Sequence, residues 1–440
     1  MKISKYTIFI EDDNNNLILY NSLEGIRSIC KISNRYLHDI QHYDEGGESF
    51  DEGLSDYLVK KGHLIEDHVN ESAKLRALYL KTISDNILNL IILPTEQCNF
   101  RCKYCYESFA LQGMGKEIQK STISFVKKNI HKFNGLHVMW FGGEPLLELR
   151  IIREMSHDLM KICIDNRKVY TAQITTNAYS LTPEVFGELL TYGIRDYQVT
   201  IDGIQTIHDK ARVLANGKGT FSVIFDNILN IKRRYNKQRF RVVIRTNLTK
   251  DILEYVDDYI TTCNKITDND ERFKIDIQFV NNWMDKAEEG IKDQLIIDKC
   301  DFLKKLYENK EGLKNIFIGD FQPGGAACPN GKLNSYLIRA NGDIHKCTMC
   351  FENSSTAVGN IQKEISWNSF YNWLCQWDYC GKLSNCEYAP LCFGDYCPAQ
   401  RILMPEEEYT CPRVRELAKS YLKLLDKIGF ISNNYDLTID

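Results

Sequence analysis

The residues best suited to chemistry lie in Thr95-Glu96-Gln97-Cys98-Asn99-Phe100-Arg101-Cys102-Lys103-Tyr104-Cys105-Tyr106-Glu107. Cys98, Cys102 and Cys105 follow an apolar run, Ile87 to Leu93, that reads as a buried strand closed by Pro94. Three thiolates separated by three and then two residues can wrap one iron–sulfur cube, because thiolate ligation suits such clusters and a short loop can aim successive sulfurs inward. A four-iron cluster normally takes four Cys, so three leave one iron open to a ligand that is not protein. The competing readings are a zinc knuckle and reduced, buried thiols. Zinc sites usually show paired C-x-x-C or Cys/His sets, and this loop contains no His.

Such thiols need a scaffold, and residues 86 to about 316 supply a regular one. Strands are predicted at 87–93, 137–141, 170–175, 196–201, 240–246 and 273–280. Between them lie helical patterns such as Ile118, Phe125, Val126, Ile130 and Phe133. This alternation argues for a parallel α/β architecture. Polar motifs fall at the strand ends: Cys98–Cys105 after the first and Gly142-Gly143-Glu144-Pro145 after the second. Thr175-Thr176-Asn177 ends the third, Thr200-Ile201-Asp202-Gly203 the fourth and Arg245-Thr246-Asn247 the fifth. In barrels of parallel strands the active site gathers at the C-terminal strand ends, so the five motifs describe one site. Gly142 and Gly143 allow close backbone approach to a ligand or a positive φ, and Glu144 can accept hydrogen bonds from an ammonium group. Thr176 and Asn177 offer hydroxyl and amide groups suited to ribose and carboxylate. Asp202 can orient a ligand or merely cap a helix. Arg212, in HDKARVLANGKGTF, reads either as an active-site cation or as half of a surface ion pair.

The cysteine motif resembles that of the radical S-adenosylmethionine (SAM) enzymes, with Tyr104 as the aromatic residue typical before the third Cys. The resemblance implies that the open iron binds the amino and carboxylate groups of SAM. It implies that one-electron reduction then yields methionine and a 5′-deoxyadenosyl radical, which abstracts hydrogen from the substrate. It also implies that Gly142, Gly143 and Glu144 contact the methionyl amine and that Thr176 and Asn177 bind SAM. Tyr104, Asp202, Arg212, Arg245 and Asn247 are cofactor-side candidates on the same grounds. The implied core is a partial six-stranded (β/α) TIM-like barrel.

Beyond the turn-rich Phe321-Gln322-Pro323-Gly324-Gly325 the character changes, and the last nine of the 16 Cys fall between 328 and 411. Cys328, thirteen residues, Gly342, four residues and Cys347 resemble the opening of the SPASM extension, which carries auxiliary four-iron clusters in peptide-modifying radical SAM enzymes. NCEYAPLCFGDYCPA resembles its second half, and YTCPR supplies a terminal Cys. The resemblance implies one auxiliary cluster on Cys328, Cys347 and Cys397, with Cys350 a candidate fourth ligand. It implies a second on Cys380, Cys386, Cys392 and Cys411. The family's usual C-x-x-C pair is broken here by Leu383, for which Cys380 substitutes, and the Cys392–Cys397 interval is one residue longer than usual. Cys375 has no assigned role. Cys30, Cys163, Cys263 and Cys300 read as structural thiols. RVRELAKSYLKLLDKIGF reads as a helix with Leu417, Tyr421, Leu424 and Leu425 on one face, packed on the barrel, and Ser432–Asp440 as a frayed tail.

Residues 1–85 form a third unit. Tyr6, Ile8 and Ile10 alternate, EDDNNN supplies a turn, and Leu17–Tyr20 returns as a second strand. Phe50, Leu54, Tyr57 and Leu58 follow at helical spacing, with Gly62 at the helix end. A hairpin followed by short helices fits a small α+β, winged-helix-like shape. Its 10 Lys and Arg against 15 Asp and Glu make it a poor partner for phosphates. The pattern resembles the small PqqD-like domains that bind a leader peptide as an added edge strand.

The chain has 440 residues and a net charge of −4, which leaves no footprint for nucleic acid or an anionic membrane. No apolar run is long enough to span a bilayer, and the first residues lack the apolar region and cleavage site of a secretory signal. So many Cys in such a chain point to metal chemistry in the reducing cytoplasm rather than to disulfides. The expectation is a radical SAM–SPASM peptide maturase with domains at 1–85, 86–316 and 317–440. It would use SAM and three 4Fe-4S clusters, one radical SAM and two auxiliary, with an electron donor such as flavodoxin or ferredoxin. It would form a thioether or carbon–carbon cross-link in a ribosomally made precursor peptide bearing a leader. The alternatives are a formylglycine-forming sulfatase maturase of similar layout and a non-catalytic iron–sulfur electron carrier.

Overall fold

The computed structural model describes residues 1–43, 50–268, 270–279, 299–309, 312–313, 315–363, 365–395, 397–403, 413–431 and 434–435. The N-terminal unit contains β1 (Lys2–Ile3), β2 (Thr7–Glu11), β3 (Asn16–Asn21), β4 (Cys30–Ser33), α1 (Leu37–His42), α2 (Glu52–Lys61), β5 (Leu64–Ile65) and α3 (Glu71–Ile83). Local chemistry sets its corners. Asp12 Oδ1 accepts the N–H groups of Asn14 and Asn16 and shapes the β2–β3 hairpin. Asp51 caps α2 by accepting from Leu54 N at 2.9 Å, and Gly62 ends it at φ +78°.

The middle of the chain alternates as expected: β6 (Ile87–Ile92), β7 (Phe100–Cys102), α4 (Lys116–Asn129), β8 (Gly135–Trp140), α5 (Leu149–Asp165), β9 (Val169–Thr176), α6 (Pro183–Thr191) and β10 (Ile194–Thr200). Then come α7 (Gln205–Ala211), β11 (Arg212–Leu214), α8 (Phe221–Arg234), β12 (Arg241–Leu248), α9 (Val256–Thr267), β13 (Phe273–Phe279) and α10 (Lys299–Glu308). Strands β6, β8, β9, β10, β12 and β13 pair in parallel and in chain order. Residue 280 of the last predicted strand lies outside the described residues. The apolar run of β6 suits a strand packed on both faces, with Leu88, Leu90 and Ile92 buried on one face and Ile91 on the other. Helix α5 buries Ile151, Ile152, Met155, Leu159 and Ile162 at helical spacing against the sheet. Helix α4 departs from a purely apolar stripe. Its buried residues include Gln119 and Thr122, which bond to Met114 O and Ile118 O and so need no outside partner.

The C-terminal segment contributes β14 (Ser335–Ile338), β15 (Asp343–His345), β16 (Gly359–Asn360), α11 (Trp367–Asn372), α12 (Ala389–Cys392), α13 (Pro398–Leu403), α14 (Arg413–Lys427) and β17 (Asn434–Tyr435). Strand β14 pairs in parallel with β6, so the Cys-rich segment extends the main sheet to nine strands among the described residues. Helix α14 was expected on the barrel. It packs on α10, but Ala418, Leu422 and Leu425 also share a core with Ile8, Ile10, Ile18 and Tyr20 of the N-terminal sheet. Two of its faces are apolar, which a one-face reading misses. The tail is likewise not wholly frayed, because Asn434 and Tyr435 pair with β4. Cys30, Cys163 and Cys263 are buried as expected, and burial pushes Cys30 and Cys263 up to about 12, which keeps both thiols neutral. No helix among the described residues is long and apolar enough to cross a membrane.

Candidate active site

The three-cysteine motif leaves β6 through Pro94 and is held from three directions. Glu96 is fully buried and takes a bidentate pair from Arg339, just after β14, at 2.9 and 2.8 Å. Leaving either partner alone in this setting costs about 3–5 kcal/mol. Below the motif, Gly142 takes φ +121°, and a Cβ there would lie 2.2 Å from Thr95 O. A Cβ on Gly143 would lie 2.5 Å from Gln97 O, and Glu144 N donates to that same oxygen at 2.9 Å. Of the two expectations for this pair, the positive φ is met at Gly142, and the close backbone approach is to the chain's own cysteine loop. Gly142→Ala should lower stability by about 3 kcal/mol, from a Gly-only backbone and a backbone clash. It should also reduce iron retention, and a denaturant midpoint with an iron assay checks both.

On the third side the motif is itself a short strand. Strand β7 pairs antiparallel with β11, setting Arg212 opposite Cys102, and Lys103 N donates to Ala211 O at 3.0 Å. Cys98, Cys102 and Cys105 are half-buried and within electrostatic reach of one another. Burial first, and then their neighbours, pushes Cys98 and Cys105 up to about 12. Three thiols so placed hold their protons until a bound cation displaces them, and the donor set is sulfur alone. That fits a thiolate-held iron–sulfur cube, which spreads its thiolates over separate irons. Among the described residues no three His, Cys, Asp or Glu are grouped to hold a single metal ion.

Two hydrogen-bond hubs surround this loop. Glu144, fully buried, accepts from Leu146 N at 3.0 Å, Thr176 Oγ1 at 2.7 Å and Asn177 N at 2.7 Å. Burial raises its carboxyl, and these donors work against that rise. Asn177 Nδ2 reaches Asn99 Oδ1 at 2.8 Å, beside Cys98. The second hub is the Tyr104 phenol. It donates to Asp202 Oδ2 and accepts from Arg212 Nη1 at 2.8 Å and Asn247 Nδ2 at 3.3 Å. Asp202 also accepts from Asn247 N at 2.8 Å, and Arg245 Nε bonds Asn247 Oδ1 at 3.0 Å. Asp202 is thus a strand-end organiser, and Ile204, not Asp202, stands at the N-cap of α7.

Arg212 is only 6% exposed, which removes the surface ion-pair reading. Burial disfavours its charge, and Cys102, Tyr104 and Asp202 more than restore it. Its Nε atom is buried without a hydrogen-bond partner. His208, within the HDKAR stretch but given no role by the sequence, fixes this corner. Asp202 N donates to its Nδ1 at 3.1 Å. Thr220 Oγ1 donates to Arg212 O at 2.7 Å and lies 3.1 Å from His208 Nε2. That arrangement selects the neutral Nε2–H tautomer.

A second thiol group stands in the C-terminal segment. Cys328 neighbours Cys347 and Cys397, and burial followed by those two thiols pushes it up to about 12. Cys347 hydrogen-bonds Cys350. Cys375, which carried no expectation, joins them: its Sγ lies 3.4 Å from Cys328 O, and a Cβ on Gly331 would lie 2.3 Å from that sulfur. Lys346 is fully buried between the rings of Tyr336 and Phe370 and donates to Lys332 O at 2.6 Å. Burial lowers its ammonium to about 7, opposed by Cys328 and Cys375. Cys380, Cys386 and Cys392 share one folded loop, in which Cys380 N bonds Gly394 O and Ala389 N bonds Cys386 O. Cys411 lies outside the described residues. The loops that carry the first two thiol groups lie near each other: Tyr106 is within electrostatic reach of both Cys105 and Cys347, and Ser108 N donates to Glu352 Oε1 at 2.6 Å.

These features define a radical SAM domain: residues 92–259, which hold the three-cysteine motif and both hubs, match the model of the Radical SAM superfamily. Among individual proteins, the chain is 22% identical over 305 residues to the radical SAM cyclopropyl synthase TigE of Paramaledivibacter caminithermalis. That match covers 56% of this chain and 63% of TigE, so just under two thirds of that relative's length is represented. It is 23% identical over 336 residues to the cysteine-type anaerobic sulfatase-maturating enzyme of Clostridium novyi, covering 69% of this chain and 86% of that enzyme. In fold it is similar to native anSMEcpe with bound AdoMet, with a TM-score of 0.59 at 18% identity, covering 78% of this chain and 97% of the other.

Proposed function

We propose that this chain is a radical SAM peptide maturase, which oxidatively modifies a ribosomally made precursor and forms a thioether or carbon–carbon cross-link. The observation that carries the reading is the second thiol group at Cys328, Cys347 and Cys397, with Tyr106 within electrostatic reach of both Cys347 and Cys105 of the first. A cross-link is a net two-electron oxidation of the peptide, and hydrogen abstraction removes only one electron. The second must leave the substrate radical, and a cluster on these thiols is a ready acceptor. A protein of similar fold, anSMEcpe, has been solved with AdoMet and the Cp18Cys peptide bound, which supports a peptide as the substrate class.

In this reading Cys98, Cys102 and Cys105 hold the first 4Fe-4S cluster. When bound, reduced cluster and SAM supply a 5′-deoxyadenosyl radical that takes hydrogen from the peptide. The chain's residues hold, orient and exclude water. Glu144, with Thr176 and Asn177 fixed against it, receives the methionyl amine, with Gly142 and Gly143 seating the loop beneath. Tyr104, Asp202, Arg212, Arg245 and Asn247 form the wall that positions SAM, and Arg212 lends a positive charge beside Cys102. Two auxiliary clusters use Cys328, Cys347 and Cys397, with Cys350 or Cys375 completing the first, and Cys380, Cys386, Cys392 and Cys411 for the second. Residues 1–85 recognise a leader, 86–316 carry the barrel and 317–440 the SPASM clusters. A flavodoxin or ferredoxin in the cytoplasm supplies the electron.

The similarity to a cysteine-type sulfatase-maturating enzyme keeps formylglycine formation as the second reading. Anaerobic incubation with SAM, reductant and a synthetic Cys-containing peptide, chosen from any short reading frame found beside the gene, separates the two. The expected outcome is 5′-deoxyadenosine together with a peptide lacking two hydrogens and keeping its sulfur. Exchange of a cysteine sulfur for oxygen would favour formylglycine, and no SAM cleavage would overturn both.

A further inference from the structure

Two aromatic rings stand out from the C-terminal segment. Trp367 and Tyr371 lie one turn apart on α11 and are 71% and 69% exposed. A lone exposed ring is ordinary, but two on one helix face mark a contact surface, where Trp and Tyr are enriched. From this face side chains lead inward. The Trp367 ring meets the buried Phe370 ring edge-on at 4.9 Å, and Phe370 lies 4.6 Å from the Lys346 ammonium. Lys346 is within electrostatic reach of Cys328 and Cys375. Trp367, Phe370 and Lys346 thus lead from the surface toward the second thiol group. Charge completes the patch. Tyr336 meets Phe370 at 6.1 Å and Phe125 of α4 at 6.0 Å, which makes α4 and α11 neighbours. Residues 116–132 carry five Lys against one Glu, in a chain whose net charge is −4. Lys128, and Lys132 in the turn that ends this helix, are exposed on the side of Phe125 by the helical repeat.

We propose that Trp367, Tyr371, Lys128 and Lys132 form a docking surface for an acidic, flavin-bearing carrier of single electrons. The basic helix in an otherwise acidic chain supplies the complementary charge, which governs encounter rate and choice of partner. The two rings suit the apolar edge of a flavin. Redox encounters bury under about 1,200 Å² in total, so two rings and a charged rim are enough for one. The role of the docked carrier rests on the peptide-modifying reading above; the surface and its charge do not. In that reading an oxidised carrier takes up the one electron that the substrate radical releases through the Cys328 group. The carrier leaves reduced by that electron, and no bond is made or broken in the transfer.

Oxidised flavodoxin serves as the probe, titrated calorimetrically into the full-length reconstituted protein without SAM. The parent should bind it, and raising the salt from about 0.05 M to about 0.5 M should weaken binding about tenfold. Trp367→Ala/Tyr371→Ala and Lys128→Glu/Lys132→Glu should each weaken it at least about tenfold at low salt. The second variant touches neither ring, which keeps the test open should the first lose iron or structure by circular dichroism. SAM cleavage driven by dithionite should be parental in both. No binding by the parent, or parental affinity in a folded variant of either kind, overturns the proposal. So does a parental dimer in sedimentation that Trp367→Ala/Tyr371→Ala dissociates, because a second copy then covers this face. Tighter binding of the parent to phosphatidylserine vesicles than to flavodoxin overturns it as well. Failure of the parent to cleave SAM with dithionite counts against the enzymatic reading and leaves the binding result to judge the surface.

Discussion

Anaerobically reconstituted protein carrying Cys98→Ala, Cys102→Ala and Cys105→Ala will hold about four fewer irons per chain than the parent's roughly twelve and will cleave no SAM. The three sulfurs share one half-buried loop, and two of the carboxylates near them are already engaged, Glu144 by Leu146, Thr176 and Asn177 and Asp202 by Tyr104 and Asn247. Removing them also takes from Arg212 the neighbour that most offsets its burial, Cys102, and leaves it Tyr104 and Asp202. The loss should therefore be complete rather than partial. Iron assay, absorbance in the charge-transfer region and chromatography of 5′-deoxyadenosine measure it. Parental SAM cleavage in a folded triple variant would refute the site, and tightly bound zinc in the C-terminal third would refute the auxiliary clusters.

The second large effect separates radical generation from oxidation of the substrate radical. Cys347→Ala or Cys386→Ala should leave reductive SAM cleavage measurable and stop formation of cross-linked peptide. Radical generation needs only the loop of Cys98 to Cys105 and the hubs at Glu144 and Tyr104. Cys347 and Cys386 belong instead to the later thiol groups. Metal sites also staple loop-rich regions, and Cys386 packs near the shared core of Tyr20, Tyr388 and Leu391. Circular dichroism and iron content must therefore precede the activity measurement. A folded variant lacking an auxiliary cluster that still makes product at the parental rate would show that the electron leaves by another route.

The features legible in the sequence are those whose physics is local. Apolar runs such as Ile87–Ile92 marked the six parallel strands, and the polar residues just beyond them located the site, because a strand end and its loop are neighbours in the chain. Pairings between distant residues were not legible. Glu96 and Arg339 stand 243 residues apart, and neither has a local pattern that names the other. The β7–β11 ribbon escaped because three residues are too few to show alternation, and because one strand is the cysteine motif itself. Cys375 sits beyond any regular spacing, yet the chain returns it to Cys328 through Gly331. His208 carried no sequence signal of its own, because the partners of its two ring nitrogens, Asp202 N and Thr220, are set by the fold. The Gly142-Gly143 pair was legible as a conformational need, but only the structure shows that its close neighbour is the chain's own loop.

The parallel pairing of β6 with β14 carries a consequence for how this chain is made. Until residue 338 has left the ribosome, β6 is the outer strand of a growing parallel sheet, with the row of backbone groups that pairs with β14 facing no neighbour and Ile91 lacking Leu337 beside it. An exposed apolar edge of that kind is a template for pairing between chains, and slow, non-local pairings leave it exposed longest. Heterologous expression should therefore yield soluble protein in proportion to how gently synthesis and the chaperone supply cover this interval. Truncations ending before β14 should be recovered in inclusion bodies, even though every residue of the radical SAM match is present in them.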